Sequence, residues 1–112
     1  MFEICAETQS DADIYAQAVD VRRLQMAYGL NAPIPSLDEA GARMAQLSKC
    51  DRAIIEHERP RSIIGTPGLV ADRIAELTEL FEADEVVVLS VAPGYGVRLK
   101  SYELLARALI GA

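Results

Sequence analysis

The sequence contains few of the residues on which several common kinds of site depend. It has no Trp, two Phe, four Tyr, one His and two Cys among 112 residues. A structural zinc site needs several Cys or His ligands at close spacing, and no CxxC pair is present. We therefore predict no metal site, and we interpret Cys5 and Cys50 as two reduced, partly buried thiols.

Clusters of basic residues and long apolar runs are also missing. The net charge is −6, and this acidic balance opposes non-specific attraction to nucleic acid. No apolar segment approaches the roughly 20 residues of a membrane-spanning helix, and the N-terminus lacks the basic region of a secretory signal. The sequence therefore predicts one cytoplasmic α/β domain over residues 1–112, with neither nucleic acid nor a membrane as a partner.

The segment from Arg61 to Leu89 contains the clearest structural signals. Apolar side chains recur at helical spacing through it, at Val70, Ile74, Leu77 and Phe81. Thr66 suits the N-cap of this helix, and Pro67 suits its first position. Residues 85–89 then include three successive valines, which predict a strand buried on both faces. Such a strand is typical of a parallel sheet or barrel with covering helices.

The remaining residues predict a strand over residues 2–6 and three further helices. A helix over residues 11–28 ends near Gly29, and a second helix begins at the capping-box sequence that Ser36 opens. We predict a linker from Asn31 to Ser36, because its two prolines cannot continue a helix, and a break in the second helix near Ser48. The final helix covers residues 97–110, ends at Gly111 and has these residues on one face: Leu99, Tyr102, Ala106 and Leu109.

Four segments follow one another along the chain: FEICAET, IIGTPGLVADRIAEL, ADEVVVLS and RLKSYELLARAL. Together they resemble the C-terminal part of the bacterial luciferase-like monooxygenases, and the resemblance covers nearly the whole chain. It implies a C-terminal fragment of a (β/α)8 TIM-barrel-like fold, in the order strand, helix, helix, helix, strand, helix. It also implies oxidation of a small organic substrate by an enzyme that uses reduced FMN or the deazaflavin F420.

The chain is short for such an enzyme. A complete (β/α)8 barrel takes about 250 residues, and the resemblance assigns most flavin contacts to earlier strands. We therefore expect this chain to bind neither FMN nor F420 alone and to be catalytically incomplete without the remainder of the barrel. The alternative hypothesis is a non-catalytic α/β domain that pairs its open sheet edges with a second copy.

Gly65 and Thr66 are the candidate cofactor-binding residues, because free amides at a helix start attract phosphate. Capping of the helix by Thr66 is the alternative explanation of this turn, since Pro67 removes one amide. A small ligand-binding domain that uses the same turn is a third hypothesis. The sequence leaves these readings open.

Tyr95, Arg98 and Arg61 are the candidate substrate-binding residues. Tyr95 lies in the turn-rich loop from Val91 to Gly96, and Arg98 follows this loop; they can supply a phenol donor and a positive charge. Arg61 precedes the Gly65 turn, where certain luciferase-like relatives have an arginine-containing substrate lid. Each can equally be an ordinary surface side chain. No catalytic residue is predicted, because His57 lies in a charged run and Glu7 has no evident catalytic partner.

Overall fold

Three parallel strands form the centre of the protein. The computed structural model describes residues 1–110, so Gly111, predicted to end the last helix, lies outside the described residues. The strands are β1 (Phe2–Cys5), β2 (Ser62–Gly65) and β3 (Leu89–Ser90), in the spatial order β2-β1-β3. Ile4 is the register partner of Ile64 in β2, and Glu3 is the partner of Ser90 in β3. The first strand of the chain is therefore the central one.

Within residues 1–110, five α-helices surround the sheet. They are α1 (Gln9–Ala27), α2 (Leu37–Met44), α3 (Lys49–Glu58), α4 (Pro67–Leu80) and α5 (Tyr95–Ile110), and a short 3-10 helix (Arg59–Arg61) precedes β2. The hydroxyls of Thr8, Ser36 and Ser48 each accept a bond from an amide three residues later, which starts α1, α2 and α3. The predicted break near Ser48 is confirmed. None of the helices over residues 1–110 is long and apolar enough to cross a membrane.

The helices cover both faces of the sheet. Side chains alternate between the faces along β1: Ile4 packs against Val19 of α1, whereas Cys5 packs against Ile74 of α4 and Leu105 of α5. The chain adds β2 on one side of β1 and then β3 on the other. Right-handed crossovers place helices on opposite faces when the direction of strand addition reverses in this way. The connection after β1 therefore leads to α1 on one face of the sheet, and the connection after β3 leads to α5 on the other face. The two connections separate between β1 and β3, as in doubly wound α/β folds.

The prediction of a (β/α)8 barrel fragment is wrong. In such a barrel each strand lies beside the strand that follows it in the chain, whereas β2 and β3 lie on opposite sides of β1. The sheet described here is open and carries helices on both faces. The predicted element order also lacked β2, because SIIG is only four residues long and leads directly into the α4 start.

The prediction of a strand over residues 85–89, buried on both faces, is wrong as well. Only Leu89 and Ser90 pair with β1, and the Val87 side chain is 73% exposed. Val86 and Val88 pack into the cluster beneath α4 and α5. Helix α1 packs on β1 and β2. Val87, which precedes β3, and Leu89, the first residue of β3, remain exposed. Phe81, predicted to lie on the buried face of α4, is the C-cap residue of that helix and is 72% exposed.

Candidate functional site

A cleft opens at the carboxyl ends of β1 and β3, where the chain connections diverge. Cys5 and Ala6 form its floor, and its volume is about 240 Å3. The first turns of α1 and α5 form its two walls. Open α/β sheets bind ligands in the crevice at this position, because the loops on either side of it separate. The cleft is therefore the candidate functional site.

Local sequence signals position the walls of the cleft. Thr8 Oγ1 accepts the amide of Asp11 at 3.1 Å, so α1 begins with Asp11 in its first turn. Tyr15 follows four residues later on the same side of the helix and also lines the cleft. On the opposite wall, Gly94 has φ +85°, a left-handed conformation that glycine adopts readily, and α5 begins at the next residue.

The cleft has an acidic lining with a single cation. Lys100 Nζ lies 3.6 Å from Glu7 Oε1, and both side chains are largely exposed, so their attraction is weak. Asp11 adds a second carboxylate, and Tyr15 adds a phenol that can donate a hydrogen bond. With two carboxylates against one ammonium group, the cleft suits a small neutral polar molecule better than a phosphate.

A buried polar network lies under the floor of the cleft. Glu3 and Ser101 are each 0% exposed. Ser101 Oγ lies 3.0 and 2.9 Å from the two carboxylate oxygens of Glu3, to which it donates, and it accepts the Cys5 amide at 2.9 Å. Burial raises the pKa of Glu3, while hydrogen bonds from Ser101 and Ser90 oppose that shift. The network ties the central strand to α5.

The two cysteines occupy different environments. Cys5 is buried, and burial together with the charge of Glu3 raises the pKa of its thiol to about 11. A thiol in this state stays protonated near neutral pH and is a poor nucleophile. Cys50 is exposed, which corrects the prediction that both thiols are partly buried.

Side chains of the protein pack closely against Gly65. A Cβ atom added to Gly65 would lie 2.8 Å from Leu69 Cδ2 and 3.0 Å from Gln9 Oε1, so the protein's own side chains fill the adjacent space. Thr66 occupies the N-cap position of α4, but its hydroxyl makes no capping hydrogen bond. The capping bond predicted for Thr66 is therefore absent.

The three candidate substrate residues do not converge. Tyr95 is 77% exposed at the start of α5, beside the cleft residues Gly96 and Val97, and Arg98 is half-buried one turn into the helix. Arg61 lies just before the amino end of β2, whereas the cleft lies at the carboxyl ends of the strands, and Arg61 pairs with Glu58 at 2.8 Å.

Tyr15 and Lys100 line the cleft but were not predicted from the sequence as site residues, whereas Glu7 was considered. The available signals were the four-residue spacing of Tyr15 from Asp11 and the three-residue spacing of Lys100 from Val97. These spacings show which residues share a helix face. They do not show which face borders a cleft.

Comparisons with known proteins return longer chains. No protein-family model matches this sequence. Two uncharacterized proteins of Bacillus subtilis (strain 168) are similar: YceB is 34% identical over 110 residues, and YwcH is 28% identical over 109 residues. Those alignments cover 98% and 96% of this chain but 33% and 32% of the relatives. The crystal structure of apo-MsnO8 matches with a TM-score of 0.80 and 28% identity, over 98% of this chain and 33% of that one. The chain thus spans about one third of the length of each.

Proposed function

We propose that this chain is the C-terminal portion of a luciferase-like, flavin-dependent oxidoreductase or monooxygenase, and that its cleft contributes to the binding of a small organic substrate. One observation carries the proposal. Two of the segments that resemble the luciferase-like enzymes, FEICAET and RLKSYELLARAL, meet at the cleft as its floor and one of its walls. A third, IIGTPGLVADRIAEL, forms β2 and α4 beside them.

The cofactor, FMN or F420, is proposed to be held by other parts of the intact enzyme. The acidic lining of the cleft and the filled space beside Gly65 both disfavour a bound flavin phosphate in this chain. The span of only one third of each longer relative is consistent with this division. Alone, the chain would not be catalytically complete. A cytoplasmic location is part of the same proposal.

The cleft residues have distinct roles in the proposed substrate site. The Tyr15 phenol donates to a carbonyl or hydroxyl oxygen of the substrate, and Lys100 adds a second donor on the facing wall. The apolar floor at Ala6 and the side chains of Val97 and Leu104 contact the hydrocarbon part.

A pair of tyrosine variants tests the substrate role of the cleft. In amide NMR titrations of the 112-residue chain with cyclohexanone, we expect shifts at Ala6, Gly96 and Val97. Tyr15→Phe should weaken binding by roughly fivefold, the value of about one neutral hydrogen bond. Tyr95→Phe is the matched control, because Tyr95 is exposed outside the cleft lining. Loss of binding in the Tyr95 variant alone would favour the loop site predicted from the sequence and contradict the cleft.

Flavin titration tests the second part of the proposal. FMN added to the purified chain should show no submicromolar complex and little change in flavin fluorescence. A submicromolar one-to-one complex would refute the assignment of the cofactor site to other parts of the enzyme.

Self-association through an open sheet edge is a second candidate function. It is favoured by two exposed apolar side chains: Leu89 in the edge strand β3 is 52% exposed, and Val87, two residues before it, is 73% exposed. An uncovered apolar edge is a template for pairing with another strand, and a charged residue there blocks it. Sedimentation velocity should then show a dimer that Val87→Lys dissociates. Leu80→Lys is the control, because Leu80 is 72% exposed on α4. A wild-type monomer at micromolar concentration would rule this candidate out.

A further inference from the structure

An apolar groove lined by arginines lies on the α1 face of the sheet, and its volume is about 340 Å3. Five apolar side chains line it: Phe2, Val19, Met26, Ile34 and Val91. Three arginines complete the lining: Arg22, Arg23 and Arg61. We call this surface the arginine groove. It shares no lining residue with the cleft between α1 and α5, so it is a separate candidate site.

Neutral groups orient two of the three guanidinium groups. Arg22 Nη1 donates to the carbonyl oxygen of Ala32 in the linker between α1 and α2. Arg23 Nη2 donates to Ser62 Oγ at 2.7 Å, and its Nη1 donates to the carbonyl oxygen of Glu58 at 3.3 Å. Neither arginine forms an ion pair with a carboxylate of residues 1–110. These contacts fix the positions of the two groups without a carboxylate of the described residues in ion-pair contact with either one.

The groove is therefore positive within an acidic protein. Arg61 pairs with Glu58 through Nη1 at 2.8 Å, and its Nη2 and Nε take part in no ion pair within residues 1–110. Among these residues, no Asp or Glu side chain lines the groove itself. Burial, and next the nearby charge of Arg61, lowers the pKa of Arg23, while Asp20 and Glu58 oppose that shift. The chain as a whole has a net charge of −6. An anion in the groove would reduce the repulsion between the arginines.

Two properties of the groove together define the ligand chemistry. Guanidinium groups bind carboxylates through paired, charge-assisted hydrogen bonds. The apolar lining favours a hydrocarbon body, because contact with it removes apolar surface from water. The groove volume falls at the small end of the range found for ligand pockets. We infer that the arginine groove binds a small carboxylic acid as its anion, with the carboxylate on Arg22 and Arg61 and the hydrocarbon chain against Phe2, Met26 and Ile34.

Titration of the 112-residue chain with octanoate and with octanol tests this inference. Octanoate should shift the amide resonances of Phe2, Ile34 and Val91, and octanol should bind roughly tenfold more weakly, as expected for the loss of one charge-assisted hydrogen-bonded contact. Octanoate affinity should also fall with rising salt. Inorganic phosphate, which has the charge without the hydrocarbon, should bind more weakly than octanoate.

Arginine variants complete the test. Arg22→Gln and Arg61→Gln should each weaken octanoate binding by roughly tenfold, whereas Arg107→Gln, an exposed change on α5, should leave it unchanged. Circular dichroism verifies that each variant is folded. The fall of octanoate affinity with rising salt is measured on the wild type and so does not depend on the folding of any variant. The inference is overturned by equal affinity for octanol and octanoate, by phosphate binding as tightly as octanoate, or by unchanged octanoate affinity in both groove variants.

Discussion

Removal of the Ser101 hydroxyl should destabilise the protein more than its small size suggests. In Ser101→Ala, the buried Cys5 amide loses its hydrogen-bond acceptor, and the Glu3 carboxyl group loses its bonds from Ser101 at 2.9 and 3.0 Å. A buried polar group left without a partner costs about 1–3 kcal/mol. The higher helix propensity of alanine offsets about 0.5 kcal/mol. We expect a net loss of about 2–4 kcal/mol from the free energy of unfolding, a large part of the 5–15 kcal/mol typical of a domain.

Urea denaturation followed by far-UV circular dichroism measures this loss. The matched control is Ser10→Ala, because Ser10 is a helical serine that is exposed in α1, and this change should shift the unfolding free energy by less than about 0.5 kcal/mol. The double variant with Glu3→Gln should show a coupling between the two sites, since they share one hydrogen-bonded network. Equal stability of Ser101→Ala and Ser10→Ala would refute the reasoning, because the hydrogen bonds of the Ser101 hydroxyl to Cys5 and Glu3 would then contribute nothing to the free energy of unfolding.

Three further outcomes follow from individual residues. Because the pKa of Glu3 is raised in the folded state, its contribution to stability is present below the unfolded pKa and is lost as pH rises through the folded pKa. The urea midpoint of the wild type should therefore fall with rising pH, and in Glu3→Gln this fall should be smaller. Gly65→Ala should lower the melting temperature through contacts as short as 2.8 Å, whereas Gly68→Ala, with nothing within 4 Å, should raise it slightly; equal shifts would contradict this. Iodoacetamide should label Cys50 quickly and Cys5 only on unfolding, as mass spectrometry can verify.

The sequence predicted the helices well where the signals were local. Ser36 and Ser48 each bond to an amide three residues away, so their sequence context contains nearly all of the relevant geometry. The same reasoning failed for Thr66, whose position at a helix start was correct but whose hydroxyl forms no capping bond. A cap position follows from the backbone, whereas the hydrogen bond also depends on the side-chain rotamer.

The buried side of α5 was predicted incorrectly. Leu99, Tyr102 and Leu109 were assigned to the apolar face but are 50%, 40% and 48% exposed, while Ser101 and Leu105 are buried. Apolar spacing cannot identify a serine as a core residue. Ser101 is buried where it donates a hydrogen bond to Glu3, which lies 98 positions away in the chain.

The valine-rich segment failed for a related reason. Three successive valines predict strand conformation, and Val86 and Val88 do pack against the core. Whether Val87 is covered depends on where α1 lies, and α1 packs on β1 and β2 instead. The exposure of Val87 therefore could not be predicted from the valine-rich segment alone.

By itself, the sequence determined the positions of the helix starts, the breaks between them and the first strand, because these depend on groups a few residues apart. The tertiary structure alone decided that β1 is central, that the cleft forms between α1 and α5, and that Glu3 meets Ser101. Each of these pairs elements far apart in the chain. Such pairing depends on the closure of long loops and on the packing of whole helix faces, which no local pattern specifies.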